Sequence, residues 1–155
     1  MTPSDDAKIQ KIAVYYARAV DTLGNEKDMA KALQYLRRGF TDDCIFNYYW
    51  PDGSIFGNIN GLQAFVEFAS GFMREKGYRN TQHLVSNFLA QDTSAGCATM
   101  QSDVVARHIK PDNSQDVAVA HYEDEIARVD GEWKCRSRKC VQLSFDNYAP
   151  AYSLT

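Results

Sequence analysis

The stretch that decides the fold is residues 97–146, CATMQSDVVARHIKPDNSQDVAVAHYEDEIARVDGEWKCRSRKCVQLSFD. It divides into long runs at about 97–109, 116–129 and 132–146, in which apolar and polar residues alternate as they do in half-buried strands. Pro111-Asp112-Asn113 and Asp130-Gly131 separate the runs, and these residue types favour tight turns. Strands joined by turns that short pair antiparallel. A further run at about 81–91 leads in through Thr93-Ser94-Ala95-Gly96, which makes four strands in a meander. Strands this long twist, and a strongly twisted meander curls into a cone around whatever packs inside it. An interior pocket follows from that shape.

Ahead of the meander the pattern is helical. Ile9, Ile12, Ala13, Tyr16, Val20 and Leu23 recur at helical spacing after the polar start Ser4-Asp5-Asp6. A second helix is predicted over about 28–38, with Met29, Leu33 and Leu36 inward. A third is predicted over 60–76, carrying Leu62, Phe65, Val66, Ala69, Phe72 and Met73 and stopped by Gly77. Between them Ile45-Phe46-Asn47-Tyr48-Tyr49-Trp50, Pro51-Asp52-Gly53 and Ser54-Ile55-Phe56 read as an aromatic hairpin. The expectation is a single α+β domain over 1–155: three N-terminal helices packed in a strongly curved antiparallel sheet. The closing Tyr148-Ala-Pro-Ala-Tyr152 is expected to lie over the pocket mouth.

Composition narrows the function. Seventeen Lys and Arg against 20 Asp and Glu give a net charge of −3, and 45% of residues are hydrophobic. A chain of 155 residues buries roughly 70% of its extended surface, enough for a core without staples. Collagen-like, coiled-coil and disordered chains are excluded. No basic block offers itself to nucleic acid or to an anionic membrane. No apolar run is long enough for a membrane span, and MTPSDDAKIQ lacks a signal-peptide core, so the expected location is cytoplasmic. Cys44, Cys97, Cys135 and Cys140 form no CxxC pair. They read as reduced structural residues, with Cys135 and Cys140 on opposite faces of a regular strand.

The informative anomalies are polar side chains inside apolar patterns, where burial costs free energy unless partnered. Tyr16 lies in the stripe of the first helix and Asp21 flanks it. Strict alternation puts His83, Val85 and Asn87 on one face, and His108 ends the next strand. Each has a plain structural reading: a cap, a satisfied strand histidine, an edge aromatic. His121 reads as structural. No metal-ligand spacing, phosphate loop or nucleophile elbow is present. What remains is a kit for proton chemistry: histidine held by carboxylate, with tyrosine hydroxyls to bind an oxygen.

Four words resemble the SnoaL-like branch of the NTF2-like superfamily, whose fold is a cystatin-like cone: YYARAVD at 15–21, FTDDCIF at 40–46, RNTQHLVSN at 79–87 and HYEDEIARVDGEWKCRSRK at 121–139. Within it the closest functional parallel is the scytalone dehydratase-type lyases. Their TQH motif resembles Thr81-Gln82-His83, their second pocket histidine falls on His108, their active-site tyrosine on Tyr48 and their helix-borne aspartate on Asp21. Val20 stands where they have a tyrosine, and Tyr16 is one turn away. Ala120 and Tyr122 replace a serine and an asparagine. The Tyr16 to Asp21 pairing is also similar to bile-acid dehydratases, whose late-strand arginine would fall near Gln142.

The resemblance implies a cofactor-independent lyase. Catalytic roles fall to His83, Asp21, Tyr48, His108 and Tyr16, and substrate binding to Tyr49, Trp50, Phe65, Phe72, Val85, Asn87, Tyr122 and Arg138. No metal and no cofactor are expected. The substrate would be a small hydroxylated aromatic or polycyclic molecule, losing water or a small aldehyde by a retro-aldol-type cleavage. The alternatives are an isomerase, cyclase or hydrolase in the same pocket, or a non-catalytic small-molecule-binding module. The resemblance also implies a homodimer or homotrimer.

Overall fold

The computed structural model describes residues 1–150; Ala151 and Tyr152 of the expected aromatic tail lie outside the described residues. Helix α1 (Pro3–Asn25) opens with Thr2 as N-cap. The Thr2 hydroxyl accepts from the Asp5 N–H at 3.1 Å, and the Asp5 carboxylate accepts in return from the Thr2 N–H. Its apolar stripe, Ile9, Ile12, Ala13, Tyr16, Val20 and Leu23, is buried. Helix α2 (Met29–Gly39) is capped by the Asp28 carboxylate on Lys31 N–H and runs directly into β1 (Phe40–Tyr49). Strand β2 (Ile55–Asn60) returns antiparallel to β1 and leads to α3 (Leu62–Glu75). The meander follows as β3 (Asn80–Ser94), β4 (Cys97–Ile109), β5 (Gln115–Val129) and β6 (Glu132–Tyr148).

The six strands form one sheet in the order β2-β1-β6-β5-β4-β3. All neighbours are antiparallel except β1 and β6, which run parallel, so the sheet is mixed where a purely antiparallel one was expected. The hairpin and the meander meet only after the chain has passed through α3 and three strands, and a connection that long leaves strand direction free. The helices pack on one face of this sheet around an aromatic stack in which Phe46 and Phe65 lie 4.3 Å apart, with Phe40 and Tyr16 beside them.

Bulges decide which side chains look inward. The β3 register slips between Ser86 and Leu89, with Asn87 at φ 53°, and this returns Phe88 to the core side while Asn87 turns outward. On β6 the register slips opposite Glu125/Ile126 and again opposite Val119/Ala120. The first slip puts both Cys135 and Cys140 inside, against the alternation expected of a regular strand. Arg138 joins them there. The second lets both Gln142 and Phe145 reach the concave side. All four cysteines are free thiols.

Candidate active site

Strand β3 is a sheet edge, and an edge exposes unpaired backbone groups. The end of α1 covers it. Asn25 accepts from Thr81 N–H at 2.8 Å and donates to Thr81 C=O at 3.1 Å. One turn earlier, Asp21 accepts from the Thr81 hydroxyl at 3.0 Å, from the His83 backbone N–H at 3.1 Å and from His83 Nδ1 at 2.8 Å. This approach requires Gly24, because a Cβ there would sit 2.1 Å from Thr81 Oγ1. A carboxylate can only accept, so His83 Nδ1 carries a proton, and in the neutral ring Nε2 is the free acceptor.

His83 lines a cavity, and so does His108, whose ring stands at 86° to it with centroids 5.6 Å apart. His108 Nδ1 donates to the Asp116 carbonyl at 3.2 Å, which leaves its Nε2 as an acceptor too. Burial, then the neighbouring charge of His83, pushes the His108 pKa down to about 4, so this ring is neutral at physiological pH. The Asp116 carboxylate beneath it takes Tyr78 Oη at 2.5 Å, Asn147 Nδ2 at 2.6 Å and Lys110 Nζ at 3.0 Å. Burial alone would raise that carboxyl, but these donors outweigh it and hold it below its usual range.

In the lining of the same cavity the hydroxyls of Tyr16 and Tyr48 are 2.5 Å apart, and the Tyr122 ring meets Tyr16 edge-on at 5.5 Å. Burial holds all three phenols above the ordinary tyrosine range, so they are protonated donors at neutral pH. Cys140 lies alongside, its thiol pushed up to about 12 by burial. The rest of the lining of this cavity of about 420 Å³ is mostly apolar, with Phe65, Phe72, Val104 and a Trp50–Phe56 pair stacked at 4.1 Å, beside the polar Glu75, Lys76 and Gln142.

Of the residues singled out from the sequence, Tyr16, Tyr48, His83, His108, Trp50, Phe65, Phe72 and Tyr122 line this cavity, and Asp21 touches it through His83. Four expected binding residues do not. Tyr49 faces the other side of the sheet from Tyr48, with Lys139 Nζ 5.6 Å above its ring. Asn87 is turned out by the bulge and donates to Asp103 at 2.8 Å. Val85 packs against the core away from the cavity walls. Arg138 is sealed behind Tyr16 and Tyr122, 0% exposed, and bidentate to Asp124 at 2.7 and 2.6 Å. His121, read as structural, pairs with Asp103 at 2.8 Å away from the site.

The sequence reading missed Phe56, Phe68, Gln142 and Phe145 as cavity residues, and Asp116 and Tyr78 behind His108. Phe68 follows from the α3 stripe at i+3 from Phe65. Gln142 and Phe145 depend on a bulge with no sequence signal. The Gln142 Oε1 atom is buried without a hydrogen-bond partner. Among the described residues no cluster of three or more His, Cys, Asp or Glu could hold a metal.

The model of the SnoaL-like domain family matches residues 2–139, and the chain belongs to that family. Among solved structures it is similar to the hexachlorocyclohexane dehydrochlorinase LinA-type3 from Novosphingobium barchaimii LL02, at 18% identity and TM-score 0.76 over 98% of this chain and 95% of that one. A protein named as a candidate scytalone dehydratase from Novosphingobium aromaticivorans DSM 12444 is 22% identical, TM-score 0.70, over 95% and 89%. A Nostoc punctiforme PCC 73102 protein of unknown function with a cystatin-like fold is 16% identical, TM-score 0.69, over 98% of both chains. These likenesses show an α+β, cystatin-like fold. No curated protein sequence matches the chain. No described helix is long and apolar enough to cross a membrane.

Proposed function

We propose that this SnoaL-like protein is a cofactor-independent lyase acting on a small hydroxylated aromatic or polycyclic molecule. The observation that carries the reading is the 2.8 Å bond from His83 Nδ1 to Asp21 at a cavity that the Tyr16–Tyr48 hydroxyl pair also lines. His83 Nε2 takes a proton from a carbon next to a carbonyl or phenolic system. Asp21 stabilises the imidazolium that results and keeps the ring in one tautomer. The electron pair left on carbon moves toward the oxygen, where the Tyr48 hydroxyl, backed by its hydrogen bond with Tyr16, donates to the developing negative charge. The pair then returns to form the new double bond as the leaving group departs. His83, now protonated, supplies the proton to a leaving hydroxyl.

His108 has a different part in this scheme. A ring that stays neutral offers only an Nε2 acceptor, which suits it to orient a substrate hydroxyl. Two of the similar structures are named for eliminations, a dehydrochlorinase and a dehydratase, which fits a site built from one base and one oxygen-binding wall. The experiment is a panel of aryl ketones carrying a hydroxyl or halide β to the carbonyl, followed by the absorbance of the new conjugated double bond. Turnover in the wild type and none in His83→Ala supports the reading. Tight binding of the panel without turnover of any member would leave a binding module.

A further inference from the structure

Arg138 and Asp124 are used by nothing in the scheme above, yet both side chains are fully buried. A buried ion pair is not needed for stability, since well-packed apolar residues in its place often serve as well or better. The pair is also oriented. Asp124 takes the Nε and Nη2 edge of the guanidinium. The guanidinium carbon lies 4.4 Å from the ring centroids of both Tyr16 and Tyr122 and 5.2 Å from that of Phe40. Nη1 is buried with no hydrogen-bond partner, on a guanidinium that lies over these aromatic rings. The positive end of the pair therefore backs the tyrosine wall of the cavity, and the negative end points away from it.

We infer that the Arg138–Asp124 pair is a positioning device that biases the Tyr16–Tyr48 wall toward ligands whose oxygen is negatively charged, phenolates and enolates over the neutral phenol or ketone. This rests on the proposed lyase reading, in which those hydroxyls meet a developing oxyanion. The cation never touches the ligand. It makes Tyr16 the more acidic of the two hydroxyls, so Tyr16 donates to Tyr48 and the Tyr48 proton is free to turn into the cavity. Its attraction also acts directly through a layer of ring atoms into a mostly apolar cavity. A unit charge at about 7 Å and an effective dielectric near 20, partly offset by Asp124, corresponds to about a tenfold preference for the anion.

The test uses para-nitrophenol, whose phenolate has a visible band and which gives up its proton to the buffer with no covalent step. The bound probe is expected to be more ionised than the free probe at the same pH. In the double variant Asp124→Leu/Arg138→Met that excess falls about tenfold, whereas Arg138→Lys, which keeps the charge, retains most of it. Should the apolar pair fail to fold, Asp124→Asn/Arg138→Gln removes both charges in similar shapes and carries the same comparison. Near-ultraviolet circular dichroism reports whether each variant keeps the packed core. A folded, charge-free variant that ionises the bound probe as strongly as wild type overturns the inference. If Tyr48→Phe abolishes the ionisation in that case, the oxyanion wall itself stands. A wild type that binds the probe only as the neutral phenol, or not at all, overturns both.

Discussion

His108 makes stability depend on pH in a way that can be worked from its surroundings. The residue is 4% exposed, its ring donates Nδ1–H to a backbone carbonyl, and burial followed by the charge of His83 lowers its pKa to about 4 from an ordinary 6.5. Unfolded chains therefore bind a proton at this residue well before the folded protein does. Between pH 6.5 and about 4 the unfolded state holds more protons, so stability falls as pH drops through that window and is fully present above it. A gap of about 2.5 pH units at 1.36 kcal/mol each is about 3 kcal/mol. The assay is urea unfolding at pH 7, 5.5 and 4 for wild type and His108→Asn. The variant starts less stable at pH 7, because its smaller side chain leaves Tyr78 and Phe72 poorly packed. It should then lose about 3 kcal/mol less than wild type on going to pH 4. Parallel losses in the two proteins would refute the assignment of a neutral, desolvated ring.

Two further perturbations test the scaffold. Gly24→Ala places a methyl 2.1 Å from Thr81 Oγ1 and 2.6 Å from its Cγ2, and is expected to cost about 1–3 kcal/mol in urea unfolding and to loosen the Asp21–His83 contact. Adding Thr81→Ala removes both of those clashes and should recover part of the loss. Asp124→Ala alone leaves the buried Arg138 charge unpaired and should cost about 3–5 kcal/mol, while Asp124→Leu/Arg138→Met should be nearly neutral.

The elements were legible because their signals are local. Turn residues such as Asp130-Gly131 and the 3.6-residue stripe of α1 place strands and helix without knowledge of the rest of the chain. The parallel pairing of β1 with β6 was not, since it is fixed by how the hairpin and meander close on one another. Asp21 and His83 are 62 residues apart, and no periodicity joins them; the family resemblance did. Bulges account for three of the misread site residues, Asn87, Gln142 and Phe145. Strict alternation predicts Asn87 inward beside His83, but one extra residue at the β3 bulge reverses it. Arg138 fails for a different reason: the inward face was right, and what the sequence does not reveal is that Tyr16 and Tyr122 stand between it and the cavity.

In the proposed reaction His83, held by Asp21, removes a proton from carbon. Its most direct test is deuterium uptake from heavy water at the carbon next to the carbonyl of a hydroxylated bicyclic aryl ketone, followed by proton NMR. Exchange is expected with wild type and none above background with His83→Gln. Asp21→Asn loses an attraction worth about 4 kcal/mol at about 4 Å and an effective dielectric of 20, discounted because its side chain is 17% exposed, so exchange should slow about 10²-fold. Exchange that persists undiminished in His83→Gln, or that Asp21→Asn leaves within about threefold of wild type, would rule out His83 as the Asp21-held base.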